Sequence, residues 1–503
     1  MIGMDVGTTC TKAAYVDPTG KPTMVLNDRS DAQTPTVVYA SKSGNHLVGI
    51  DAVEQGYVDP GGVVRNFKLR LGSCENLLHN GQVIDATEAA ANVIRYMKEC
   101  AERAVCKQIT ECVATCPANF RDDAKQALRE AYERNGIKVL KLVPEPTAAS
   151  FAYAFQNLHK HLNLLVYDFG GGTLDVSVVR VEGPQVTVLA TEGIPELGGN
   201  DLNQPIRERL LHEIRDKFGD VPDREDDGLL YQELDSKSEA AKISLGRQPK
   251  VPVVIGYKGS QVIVEFTQDE YHQSIDRLVG QSLEAVDRAV QEASLQMAEI
   301  DHLVLVGGTS RMPYVQERVA QHTGLTPKTD IDPDKAIAYG AALVCITEMA
   351  NEGRTATIRN QVIPAPDMFV QDVTAHTVGC AVLDSSEPSK QLLNSELIAK
   401  NTPIPCHKTD HFFLEHEDQC AAKVEILQGD ADAPRDECLS IGELLLEDLP
   451  REPIRTKRLR IDCTIDVNGM VTVTATDKVS DKTQTVSVDY KKGIRPKDKP
   501  APV

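Results

Sequence analysis

The sequence predicts an α/β domain built from two related lobes, followed by an all-β sandwich domain, and three observations carry the prediction. A strand, glycine turn and returning strand occur twice, as Ile2-Gly3-Met4-Asp5-Val6-Gly7-Thr8-Thr9 and as Leu165-Val166-Tyr167-Asp168-Phe169-Gly170-Gly171-Gly172-Thr173-Leu174-Asp175. Around these hairpins, short apolar strands alternate with amphipathic helices, the pattern of layered α/β structure. Near residue 355 the texture changes to a period of two with few helical stretches.

Taken in order, Asp85 and Glu88 have capping-box spacing, and Val93, Ile94, Met97 and Ala101 share one face of the helix that follows. A strand over Cys112 to Thr115 ends at Pro117, and a helix from about Ala124 to Arg134 stops at Asn135-Gly136. The strand Lys138 to Leu142 runs into Pro144-Glu145-Pro146, where Pro146 suits the first turn of a new helix. Beyond the second hairpin the chain reads as mostly helical, over Gln204 to Phe218, Ser236 to Leu245 and about Gln268 to Leu295. A third glycine turn, Gly307-Gly308-Thr309-Ser310-Arg311, joins the buried strand Leu303 to Val306 to a helix start, and a last helix runs from Pro333 to about Met349. In the β region, Leu459 to Val467 and Val471 to Ala475 alternate on either side of Asn468-Gly469, which predicts a type I′ hairpin. The domain boundaries expected from this pattern are 1–355, a linker over 356–372, the β domain over 373–490 and a basic, Pro-rich, disordered tail over 491–503.

Glycines let backbone N–H groups approach phosphate oxygens, and the threonine hydroxyls add donors. The acids Asp5, Asp168 and Asp175 would repel phosphate on their own and so imply a magnesium ion. The net charge of −20 disfavours nucleic acid and anionic membranes as partners. No apolar run reaches the ~20 residues that span a bilayer and no basic, apolar leader is seen, so a cytoplasmic location is expected. The 12 cysteines are scattered and form no C-x-x-C pair, as expected of buried free thiols. His407-Lys408-Thr409-Asp410-His411 lacks the glutamate and the helical setting of a zinc motif and is not read as one.

The ordered set of motifs resembles the seventy-kilodalton heat-shock chaperones, in particular their bacterial DnaK-like branch, over essentially Met1 to Tyr490. The matching stretches are Asp5 to Thr9, Asn66 to Gly72, Val143 to Ala149, Asp168 to Asp175, Leu197 to Asp201, Gly307 to Pro313, Asp332 to Asp334 and Tyr339 to Ala342. The β region adds Leu397 to Pro405, Leu427 to Gly429 and Asp466 to Gly469. The resemblance implies an actin-like ATPase domain joined to a β-sandwich that binds extended peptides. By it, Lys68, Glu145, Thr173, Asp168 and Asp5 would serve hydrolysis, and Asp5, Asp168 and Asp175 would hold Mg²⁺ through water, with K⁺ a further candidate. ATP or ADP would be held by Gly7, Thr8, Thr9, Cys10, Gly170, Gly171, Gly172, Gly198, Gly199, Glu239, Lys242, Gly307, Gly308, Thr309, Arg311 and Asp334. Pro117, Lys125, Phe369 and Asp372 would couple the domains, with Lys125 standing where the family usually has arginine.

The resemblance also implies a peptide pocket at Val378, Cys380, Phe412, Ala422 and Val424, on a strand from Val373 to Leu383 and its neighbours. Here the sequence departs from the family: His376 and Cys380 replace inward aliphatics, Ala422 is small, Glu415 sits near the arch, and Ser385 to Gln391 is an insertion. Gly246 replaces a serine near the adenine ring, and the segment Gly246 to Ser260 is shorter than the exchange-factor loop. The linker, Met368-Phe369-Val370-Gln371-Asp372, interrupts the family's leucine run with glutamine. The family's helical lid does not follow Tyr490 in the sequence, which is either cut short of a lid or belongs to a lidless protein; without a lid, peptide exchange is expected to be fast in every nucleotide state. The leading expectation is an ATP-dependent chaperone for unfolded, hydrophobic segments, served by a J-domain co-chaperone, with any exchange factor undefined. A regulator with a degenerate pocket that docks a dedicated partner is the alternative, and a sugar kinase or filament-forming actin relative leaves the β domain unexplained.

Overall fold

A computed structural model of the chain describes residues 1–41, 44, 46–73, 76–79, 82–157, 160–219, 222–223, 227–328, 331–358, 361–383, 391–452 and 457–487. The tail over 491–503 and most of the insertion over 385–391 lie outside the described residues. The chain divides into two units, one of residues 1–119 and 127–370, the other of residues 120–126 and 371–503.

The repeat seen in the sequence is a repeat of topology in the first unit. One sheet runs in the order Lys138–Pro144, Glu111–Cys116, Ile2–Val6, Cys10–Val16, Pro22–Met24. The other runs Pro327–Lys328, His302–Val306, His161–Phe169, Leu174–Glu182, Gln185–Ile194. In both, a central antiparallel hairpin has two parallel strands beside its first strand and one antiparallel strand beside its second. The central strands are buried on both faces and therefore read as continuous apolar runs rather than as alternation.

Helices cover these sheets. Ala336–Asn351 and Glu145–Phe155 are apolar nearly all round because they pack on each other as well as on strands. Their backbones approach so closely that a Cβ on Gly340 would lie 1.7 Å from the Ala148 carbonyl oxygen. The expected helix after Asp85 spans Ala86–Val105, and the Asp85 carboxylate accepts the Glu88 amide at 2.5 Å as its N-cap. Among the described residues no helix is long and apolar enough to cross a membrane.

Three strands in the stretch read as mostly helical were not anticipated. Gln185–Ile194 follows a turn in which Gly183 takes a φ of 59°. Lys250–Tyr257 and Ser260–Thr267 form a hairpin whose two turn residues, Lys258 and Gly259, both have positive φ (47° and 75°). That is the I′ geometry, built on a lysine rather than the usual asparagine or aspartate.

In the second unit two antiparallel four-stranded sheets share one core. One comprises Leu392–Ile398, Val378–Leu383, Ala422–Gln428 and Leu439–Leu446; the other Cys406–Phe412, Leu459–Ile465, Val471–Asp477 and Thr483–Ser487. Val378, Ile426, Ile441, Ile461 and Val473 are among the buried residues that meet between them. The hairpin at Asn468-Gly469 corrects the type I′ expectation: only Gly469 takes a positive φ, 74°. The Asp466 carboxylate accepts the amides of Asn468 and Met470, both at 2.8 Å, while Gly469 N–H donates to the Asp466 carbonyl at 3.0 Å. These bonds favour a type I turn closed by a glycine bulge over the tighter two-residue loop. His376 falls on the bend before Val378–Leu383 and is half-buried, so it does not share the inward strand position of Cys380. His407 and His411 lie on the strand Cys406–Phe412, which pairs with Leu459–Ile465.

Candidate functional site

The turns of the two hairpins in the first unit meet. A Cβ on Gly171 would stand 2.3 Å from Thr9 Cγ2, and one on Gly172 would stand 2.7 Å from Thr8 Cγ2, so each turn needs the other's glycine or threonine as it is. Behind this junction lies a cleft of about 360 Å³ whose walls include Asp5, Gly7, Thr8, Thr9, Cys10, Lys68, Glu145, Asp168, Gly170, Gly171, Thr173, Gly199, Glu239, Lys242, Gly307, Gly308, Thr309, Arg311 and Asp334. These come from both hairpins, the third glycine turn, the short helix Phe67–Arg70, the helices that begin at Glu145, Gly199 and Gly228, and the segment before Ala336, and all were expected at one site.

The floor of the cleft is a cluster of buried charges. Lys68, on the short helix Phe67–Arg70, donates to Glu145 Oε1 at 2.5 Å and is 2% exposed. Burial opposes the Lys68 charge, but the carboxylates of Glu145 and Asp5 outweigh it and its pKa is raised. Glu145 opens the helix Glu145–Phe155, where the helix dipole favours a carboxylate. Burial and the neighbouring Asp5 nevertheless push its pKa up.

The three expected metal-side acids differ in their partners. Asp5 accepts from the Thr115 hydroxyl at 3.0 Å, and one oxygen of Asp175 accepts the Ala118 amide at 3.1 Å. The Oδ2 atoms of Asp168 and Asp175 are buried with no hydrogen-bond partner. Burial raises Asp168 well above the usual carboxylate range, helped by the charges of Glu145, Asp175 and Asp5; burial and Glu145 lift Asp175 to about 7. Two stranded carboxylate oxygens beside each other are a donor set that a divalent cation fits. Among the described residues no group of three or more His, Cys, Asp or Glu could hold a metal ion directly.

The cleft's other end is held by backbone. The Gly170 carbonyl accepts the Thr309 hydroxyl (2.7 Å) and the Gly199 amide (3.0 Å), fixing the third glycine turn and the helix Gly199–Phe218 to the second hairpin. Gly198 donates to Asp201 at 2.7 Å, closing that helix start. Lys242 donates to the Gly199 carbonyl at 2.9 Å, and burial lowers its pKa. Glu239, one turn earlier on Gly228–Leu245, lines the same cleft. Across from them Arg311 pairs with Asp332 and, at 2.7 Å, with Asp334. Burial pushes the Cys10 thiol up to about 11, so it lines the cleft as a neutral group.

Several residues at or beside the cleft were not anticipated. Thr115 and Ala118 flank Pro117 and bond to Asp5 and Asp175, which puts Pro117 beside the acid cluster at the end of Glu111–Cys116. Lys12, Gln33, Asn200 and Ile337 also line the cleft. For Lys12 a signal was present: it stands seven residues after Asp5, as Asp175 stands seven after Asp168.

The other expected residues lie elsewhere. Val378, Cys380, Ala422 and Val424 are buried in the second unit's core, and Phe412 packs against its edge. Lys125 pairs with Asp122 at 3.4 Å. The Phe369 amide donates to the Pro184 carbonyl at 3.0 Å, beside the strand Gln185–Ile194, while its ring is half-exposed; Asp372 pairs with Ile404.

A duplicated hairpin fold closing on a cleft of glycines, acids and lysines agrees with the match of the Hsp70 protein family model to residues 1–77 and 73–501, and the chain belongs to that family. It is similar to the protein named chaperone protein DnaK from Thermotoga neapolitana, at 30% identity over 495 residues, 97% of this chain and 80% of that protein. The chaperone protein DnaK from Thermotoga petrophila is similar to the same extent.

Proposed function

We propose that this chain is an ATP-hydrolysing chaperone of the cytoplasm that binds exposed hydrophobic segments of unfolded proteins, with nucleotide state setting peptide affinity. The observation that supports it most is the junction of the two glycine turns over the Lys68–Glu145 pair and the stranded oxygens of Asp168 and Asp175. Triphosphate would lie in the glycine turns, Glu239, Lys242 and Arg311 would flank the nucleoside, and Asp5, Asp168 and Asp175 would hold Mg²⁺ through water. Bound there, the ion would offset the phosphates' negative charge. Lys68 would orient the attacking water and stabilise charge on the terminal phosphate, and Glu145 holds Lys68 in place. The glycine turns would contribute N–H groups held by the fold before the ligand arrives, so that little reorganisation would accompany reaction.

The β unit would grip an extended peptide, with Val378, Cys380, Phe412, Ala422 and Val424 nearest its side chains. The linker would change partners with nucleotide state, and a J-domain protein would stimulate hydrolysis. The test is the release rate of a labelled Leu-rich peptide from the full chain with Mg-ADP and then Mg-ATP. Faster release in ATP is expected. Equal rates would refute coupling, and no binding of any such peptide would refute the chaperone reading in favour of an adaptor for one dedicated partner.

A further inference from the structure

The two hairpins are equivalent in register as well as in sequence. In the second, Asp168 stands directly across from Asp175; in the first, Asp5 stands directly across from Lys12. Directly opposed residues in an antiparallel pair project from the same face. Lys12 therefore occupies, in one copy of the repeat, the place that Asp175 occupies in the other, with its charge reversed.

The surroundings of Lys12 show what the reversal does. Its side chain is 10% exposed and lines the cleft together with Gly7, Thr8, Thr9 and Asp334. Its ion pair with Asp334 Oδ1 is 3.7 Å long, longer than a hydrogen bond, and Arg311 Nε holds the other oxygen of Asp334 at 2.7 Å. A buried ammonium carries three donors, and its desolvation is offset only when charged partners use them. One carboxylate shared with an arginine leaves Lys12 poorly served in this structure. Its charge nevertheless reaches the cleft, where it offsets part of the upward push of burial on Glu145 and Cys10.

We propose that Lys12 is a phosphate-binding residue of the cleft, a second cation beside Lys68 whose ammonium is completed by the phosphate chain of a bound nucleoside di- or triphosphate. This rests on the nucleotide reading above and adds a residue to it. The repeat thus divides the work: the second hairpin presents Asp175 for a cation, and the first presents Lys12 for an anion.

The test is calorimetric titration of ADP and of adenosine into the wild-type chain and into Lys12→Met, Lys12→Gln and Lys12→Arg, in Mg²⁺. Losing one charge-assisted contact to phosphate should weaken ADP about 10- to 100-fold in the Met and Gln variants. Adenosine affinity should not change, and Lys12→Arg should recover much of the loss. The ratio of the two affinities is independent of the fraction of protein folded, and Gln serves if Met does not fold. An unchanged ADP affinity, or an equal loss for adenosine, would overturn the assignment and leave Lys12 a structural partner of Asp334. A wild-type chain that binds adenosine and ADP equally would overturn the phosphate site itself.

Discussion

Replacing Asp477 by Asn tests the most deeply buried ion pair in the second unit. Arg458 and Asp477 are 2% and 0% exposed, and the guanidinium engages both carboxylate oxygens, at 2.6 and 2.9 Å. Ser480 adds its amide at 2.9 Å and its hydroxyl at 2.5 Å. The Arg458 bond, outweighing burial and aided by Ser480, holds the Asp477 carboxyl at about 2 against an ordinary 3.8. That difference corresponds to about 2 kcal/mol of folding stability. The substitution costs more, about 3–5 kcal/mol, because Arg458 is left buried without its counter-charge. The sign in pH follows from a depressed acid. The contribution is complete above the unfolded-state pKa near 3.8 and is lost as pH falls through the folded-state value near 2. With no tryptophan in the chain, urea unfolding is best followed by far-ultraviolet circular dichroism. Wild type and Asp477→Asn should differ clearly in midpoint at pH 7, and the gap should narrow by about 2 kcal/mol between pH 4 and 2. Equal midpoints at pH 7, or a gap at pH 2 as wide as at pH 7, would refute the argument.

Lys68→Ala should slow single-turnover ATP hydrolysis by about 10²–10³-fold with a smaller change in ATP affinity; a normal rate would remove Lys68 from the chemistry. Gly171→Val should weaken ADP binding because its side chain would enter the space of Thr9 Cγ2. Adding Thr9→Gly should restore part of the affinity, and a double variant no better than the single one would contradict the contact. Phe369→Asp should abolish acceleration of peptide release by ATP, measured with the labelled peptide; acceleration equal to wild type would dismiss the linker role of Phe369.

The cleft of glycine turns and acids was readable in the chain because its residues are local. Asp5, Gly7, Thr8 and Thr9 are consecutive or nearly so, and so are Asp168 to Asp175, so turn geometry and the proposed function coincide. Lys12 escaped notice because a lysine on a strand next to a turn looks like a solvent-facing residue, and only the register against Asp5 turns it inward. Thr115 and Ala118 depend on strand neighbours about 110 and 60 residues away in sequence, which no local pattern reports. The turn at Asn468-Gly469 was misread because a side chain outside the dipeptide, Asp466, decides its type. At Lys258-Gly259 the reverse holds: the strands impose the turn on a residue with little preference for it. The alternation of Leu459 to Ile465 and Val471 to Ala475 does correspond to paired strands with an inward apolar face.

The interlocked turns bear on how this chain can change over generations. Gly171 has room only because Thr9 is no larger, and Gly172 only because Thr8 is no larger, so the two copies of the repeat are bound to one another residue by residue. Divergence between the halves is then free on their outer strands and helices but not at the junction. A substitution that enlarges one turn is tolerated only after the opposite turn has shrunk.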